Sequence, residues 1–443
     1  MKKQLELLKF LYEIYAPKVQ RFFKRKNKTY AGNTERRYAI TGVSVVDQLG
    51  TDLDDNFEKM CAGVVAQWPE VYDSDTVNQY LQQKKLFSKR DLVRQFVDPS
   101  ALIATYVTDR ALDVSGVDRN LTDIPVITAS LHAGGIAFDR VARKYHDVAV
   151  KHGCDYEEAH DVAPVRWSPM QLLSTGHEFA SAHMAQMFDF TGPNFNISST
   201  CSSSIQAIEA AAAFVDQGAP YAVVTSTDAM ANNKPSRTFF EGIGAASTSG
   251  NCLPYDEKRD GLMLGDAAVC FIIEALDKAE ARGAKIYGII EGWGNANDAE
   301  HPASPSPKGI GCANAYKKAF EMANVKPEVI DYINGHGTAT PIGDPIEIDV
   351  MKKYFKKGLP MVSHKGNIGH CMGACGAIEI AYGLKSLETG VIPGNGNLVD
   401  PIDDYFDLIP HKETRRKSIN YFIKNSFGFG GRASAIILSK GNV

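Results

Sequence analysis

From Arg37 onward, short apolar runs alternate with stretches whose apolar residues recur every three or four positions, and this alternation is the strongest constraint on the fold. "RYAITGVSVV", "DIPVITAS", "PYAVVTSTDAM" and "GDAAVCFIIEAL" read as strands buried on both faces. "IYGIIEGWGNA" opens a second series, followed by "VIDYINGHGTAT", "INYFIKNSF" and "ASAIILSK". Helical spacing lies between them, from Asp52 to Ala62, around Ala313 to Ala323 and from Cys375 to Leu387. Strands alternating with helices predict an α/β protein with mainly buried sheets. Each series ends a strand-to-helix junction with a reactive residue, Cys201 in the first and His370 in the second. That parallel hints at a duplicated architecture, with halves at 37–283 and 284–443.

Residues 1–36 differ from the rest. Leu7, Leu8, Leu11, Ile14 and Tyr15 have helical spacing, Pro17 interrupts it, and a basic run follows from Arg21 to Lys28. This predicts a basic amphipathic extension, either packed on the main body or in weak contact with an anionic membrane surface. The net charge of −4 argues against general nucleic-acid binding. The eight cysteines show no framework spacing, which fits free thiols in a reducing compartment. With no apolar run of membrane-spanning length and no signal-peptide pattern, the expected location is cytoplasmic.

In "NISSTCSSSIQAIEAAAAF" (Asn196 to Phe214), Cys201 lies where a strand pattern gives way to helical spacing. Unpaired N–H groups and the macrodipole at a helix start favour a thiolate, which predicts a lowered pKa and a nucleophile. Taken alone, the residue fits a buried small apolar side chain equally well. Two glycine-flanked histidines, His336 in "NGHGTATPIGDPIE" and His370 in "SHKGNIGHCMGACG", are poor core designs because glycine offers nothing to pack against. Together with Lys365 and the glycine-rich "NSFGFGG" (Asn425 to Gly431), they form a more specific set.

"SSTCSSS", "NGHGTATPIGDPIE", "SHKGNIGHCMGACG" and "NSFGFGG" occur in the order and at roughly the spacing of the elongating, Cys-His-His β-ketoacyl-[acyl-carrier-protein] synthases, which this chain resembles over residues 38–440. The resemblance implies a thiolase-like fold of two αβαβα halves in five layers, usually dimeric, homomeric or paired with a ketosynthase-like subunit. It implies acyl-chain elongation by decarboxylative Claisen condensation in fatty-acid or polyketide synthesis. No metal or nucleotide is needed, because the phosphopantetheine arrives on a partner acyl carrier protein. Carried over by motif, Cys201 is the nucleophile, and His336 and His370 promote malonyl decarboxylation. The N–H groups of Cys201 and Phe429 form the oxyanion hole, with Phe429 also gating the pocket. Lys365 and Glu347 resemble a supporting ion pair with Asp344 nearby. Thr338 and Thr340 would bond the pantetheine arm, and Phe427 and Ala133 would line the substrate site.

Two departures stand out. Arg432 and Ala433 replace residues that are usually small or amidic after the glycine pair, which bears on the loop and on docking of an acidic carrier. Ala133, in "SLHAGG", stands where the family often has isoleucine, and predicts room for long or polyketide-like chains. Among rivals, a zinc site from His370, Cys371 and Cys375 is disfavoured by spacing and by the absence of any CxxC pair. Nucleotide binding is disfavoured by the absence of a GxxxxGK loop. A non-catalytic, chain-length-factor-like subunit of a ketosynthase heterodimer remains the alternative of another class, though such subunits typically lack the cysteine.

Overall fold

Alternate residues of the central strands face different cores, and that division builds the molecule. The computed structural model describes residues 37–67, 71–86, 98–162, 173–301 and 304–442. The expected N-terminal amphipathic helix and its membrane contact fall on residues 1–36, outside the described residues. Strands β1 (Tyr38–Asp47), β2 (Val126–Ala129), β3 (Asn194–Ile197), β4 (Ala222–Ala229) and β5 (Asp266–Ala275) make up the first series. The second series comprises β6 (Gly288–Asn297), β7 (Tyr332–Asn334), β8 (Pro360–Val362), β12 (Tyr421–Gly428) and β13 (Arg432–Lys440). Between β8 and β12 in the chain run the short strands β9 (Val391–Pro393), β10 (Asp407–Leu408) and β11 (Thr414–Arg416).

The first series is ordered β1-β5-β4-β2-β3 and the second β6-β13-β12-β7-β8, with β10 added at the far edge. In each, the first three strands are antiparallel neighbours and the last three parallel neighbours. The same topology therefore occurs twice. The halves join through a three-residue antiparallel seam, Tyr38–Ile40 against Gly288–Ile290.

Helices complete the layers. Helix α1 (Pro99–Ser115) starts where the Asp98 side chain accepts the Ser100 N–H, and it ends at the left-handed Gly116. It covers the outer face of the first sheet with Val126, Val223 and Ile272. Helix α4 (Ile310–Ala323) covers the outer face of the second sheet with Ile333, Ile423 and Ile437. Two helices, α2 (Ser203–Asp216) and α7 (Cys375–Thr389), lie between the sheets. They pack on the opposite residues of the same strands, Val224, Phe271, Phe422 and Ile436. Helix α7 is buried on almost every face, as a helix sandwiched between two sheets must be. Five layers result, as the family resemblance implies.

Candidate active site

The duplication brings the N-terminal ends of the two central helices together, and the reactive residues cluster there. Strand β3 leads through Thr200 and Cys201 into α2. Thr200 has φ +53°, an uncommon conformation for a β-branched residue, and one that holds the thiol at a sharp turn. Gly428, at the end of β12, lets that turn approach: a Cβ there would collide with the Thr200 hydroxyl and come within 3.1 Å of the Cys201 nitrogen. At the start of α7, the Cys375 thiol lies 3.7 Å from the Cys201 carbonyl oxygen.

His336 follows β7 by two residues. Its N–H and that of Gly337 donate to Glu347, at 2.6 and 2.8 Å, from helix α5 (Gly343–Met351). Thr338 donates its N–H to Asp344 at 3.1 Å on the same helix, and the Thr338 and Thr340 hydroxyls lie 3.0 Å apart. The Phe427 ring meets His336 edge to face at 5.6 Å. His370 follows helix α6 (Lys365–Ile368), and its N–H donates to the Met263 carbonyl at 2.6 Å. The donor atoms of Cys201, His336 and His370 all lie within 4.8 Å of one another.

One contact sets the chemistry of His370. The Met372 N–H donates to Nδ1 at 3.0 Å, which leaves the ring proton on Nε2. Nε2 lies 3.1 Å from the Cys201 sulfur, so the neutral ring presents a donor to the centre. That orientation suits stabilisation of a developing oxyanion. It does not suit a cation, which would need the Nε2 lone pair. Cys371, a member of the disfavoured zinc set, directs its thiol to the carbonyl oxygens of Ile368 and Gly369.

Burial, reinforced by Lys365, holds His336 well below the ordinary histidine range; burial and then Lys365 and Lys424 do the same for His370. The neighbouring Cys375 thiol and burial push Cys201 well up, while Lys365 pulls it down. This corrects the expectation of a lowered thiol: the helix start is present, but a dry site and a second thiol outweigh it.

A second correction concerns the ion pair. Lys365 does not pair with Glu347; its ammonium pairs with Glu379 on α7 at 2.7 Å and donates to the His336 carbonyl at 2.6 Å. Glu347 is instead occupied by the two loop N–H groups, the Asn425 amide at 2.7 Å and the Tyr255 hydroxyl at 3.1 Å. Asp344 takes the Tyr255 N–H at 2.9 Å, and burial with Glu347 nearby pushes it up to about 7. Sequence reasoning missed Glu379 and Lys424. The available signal was a charge inside an apolar helix ("AIEIAYG") and another inside an apolar strand ("YFIKNSF").

Ala133 is buried just before the helix Gly135–His152.

 Its carbonyl lies 2.8 Å from His177 Nδ1, and its N–H donates to Ser130 at 2.7 Å. Phe429 is 40% exposed, and its ring stacks on Phe240 at 6.4 Å. Arg432 folds back toward the Phe429 carbonyl at 3.4 Å, while Ala433 is buried in the outer core of the second sheet.

Known proteins match this chain over most of its length. Residues 36–279 match the model of the β-ketoacyl synthase N-terminal domain, and residues 287–399 match that of the C-terminal domain. The 3-oxoacyl-[acyl-carrier-protein] synthase 2 of Coxiella burnetii is 30% identical over 430 residues, which is 92% of this chain and 99% of its own. That of Vibrio cholerae is 29% identical over 432 residues, 92% of this chain and 100% of its own. Among solved structures, the ishigamide ketosynthase/chain length factor superposes with a TM-score of 0.77 at 22% identity, covering 91% of this chain and 99% of that one. The ketosynthase complex AntDE:AntF, which contains a type II polyketide acyl-carrier protein, gives 0.75 at 20% identity with the same coverage. At these identities the two structures speak to the fold alone.

Proposed function

We propose, from the premise that this chain belongs to the β-ketoacyl synthase family, that Cys201, His336 and His370 carry out acyl-chain elongation on carrier-bound substrates. The observation that carries the assignment is the Nε2–H of His370 directed at the Cys201 sulfur, with its other nitrogen occupied by Met372. Cys201 attacks the carbonyl carbon of an acyl-carrier thioester. The carbon–sulfur bond to pantetheine breaks, and the carrier thiol leaves with the proton that Cys201 gives up. Malonyl-carrier then binds, its carbon–carboxylate bond breaks, and carbon dioxide departs. The electron pair remains as a thioester enolate, which the N–H groups of His336 and His370 stabilise. The enolate carbon attacks the acyl-Cys201 carbonyl, a carbon–carbon bond forms, and the Cys201 thiolate leaves and takes up a proton.

The carrier protein as partner, and the absence of any cofactor of the chain's own, belong to this reading. A ketosynthase-like second subunit belongs to it as well, supported by the position of β3 at the end of the sheet among the described strands. The test is intact mass after incubation with an acyl-carrier thioester, alongside Cys201→Ala. A single acyl adduct on the unaltered protein, absent from the variant, is expected. No adduct on folded protein across several carriers would move the reading to a non-catalytic subunit.

A further inference from the structure

Strand β12 places a lysine among core residues. Lys424 is wholly buried, two positions along the strand from Phe422 of the central core, and its ammonium donates to the Gly335 carbonyl at 2.7 Å. It also lies 2.8 Å from Glu379, whose other oxygen pairs with Lys365 at 2.7 Å. One carboxylate thus carries two ammoniums, and these grip the successive carbonyls of Gly335 and His336. The loop is held from its other side by Glu347, which bonds the N–H groups of His336 and Gly337 and the amide of Asn425. The titratable groups facing Lys424 are Glu379, Lys365, Cys375 and His364, with His336 and His370 toward the centre.

Lys365 alone would neutralise Glu379. A second buried ammonium is costly, and an apolar side chain of similar volume would pack there without that cost. We infer that Lys424 is a positioning residue for the decarboxylation step: it anchors Gly335 so that His336 addresses the centre, and its charge favours the enolate. The inference rests on the ketosynthase reading. Lys424 holds the residue just before His336, and with Lys365 it acts to keep both histidines neutral, the state in which they donate to an enolate. Decarboxylation should therefore depend on Lys424 more than acylation does.

The experiment compares Lys424→Met, which removes bond and charge, with Lys424→Gln, which keeps a donor for Gly335 without the charge. Malonyl-carrier decarboxylation and Cys201 acylation are measured across pH, each rate divided by the fraction of chains that become acylated. Both variants are expected to decarboxylate about ten- to a hundredfold more slowly. Acylation should stay within about twofold, and the low-pH limb of decarboxylation should move up toward the ordinary histidine range. A merely structural lysine would lower the melting temperature and leave rate and limb unchanged, which overturns the inference. So does wild-type behaviour of Lys424→Gln. If neither variant folds, Lys424→Arg, which keeps both charge and donors, decides: slowed decarboxylation with retained acylation supports the inference, and an equal change in both rates, or none in either, overturns it. Failure of the underlying reading looks different, since the unaltered protein would then show neither acylation at Cys201 nor decarboxylation.

Discussion

At the residue scale, the thiol of Cys201 is placed for attack but is not stored as a thiolate. The Cys375 thiol and burial raise it, and Lys365 opposes them only in part. Alkylation by iodoacetamide, mapped to Cys201 by mass, should therefore accelerate about tenfold per pH unit between pH 7 and 9. A plateau below pH 8 would show a thiolate already formed. The three reactive residues were legible in the sequence because glycine neighbours and a strand-to-helix junction are local signals. The ion pair was not. Glu347 and Glu379 both lie on helices downstream of a histidine loop, and only the fold shows that the first is taken by the N–H groups of His336 and Gly337. Lys365 is left to Glu379.

At the element scale, the site depends on how closely β12 approaches the two central helices. Two glycines separate stability from chemistry there. A Cβ at Gly383, inside α7, would run into the Phe422 ring and the Tyr332 hydroxyl, all within the shared core. Gly383→Ala should cost about 1–3 kcal/mol in urea melts through overpacking, with the acylation rate per folded molecule retained. A Cβ at Gly428 meets the turn that carries the thiol. Gly428→Ala should slow Cys201 acylation by about tenfold or more, with a smaller loss in melting temperature. The reverse ranking would mean that the Thr200 turn yields freely. The long elements were legible because burial on both faces leaves segments rich in apolar residues in β1, β4 and β5. The three-residue strands β7 and β8 carry too few positions to show a period, so their pairing emerges only from the repeated topology.

At the scale of the whole molecule, five layers bury many ionisable groups, and these couple stability to pH in opposing ways. Burial raises Asp47 and Asp266 to about 6 and Asp344 to about 7. A raised carboxyl contributes stability that is present below its unfolded value and lost as pH rises through the folded one. The buried histidines do the opposite. Burial lowers His364 from 6.5 to about 4, with Lys424 and Lys365 acting in the same direction and Glu379 against it. Its contribution is present above pH 6.5 and is lost as pH falls toward 4. Neither ring nitrogen of His364 has a hydrogen-bond partner among the described residues, and the ring packs edge to face on Tyr382 at 5.5 Å. A phenyl ring could fill that place without taking up a proton. His364→Phe should match the unaltered protein within about 1 kcal/mol at pH 7.5. At pH 4.5 it should be the more stable by about 2–3 kcal/mol in urea melts, the share that protonation of unfolded His364 contributes. Equal losses on acidification in both proteins would remove His364 from the acid response and leave it to His336 and His370.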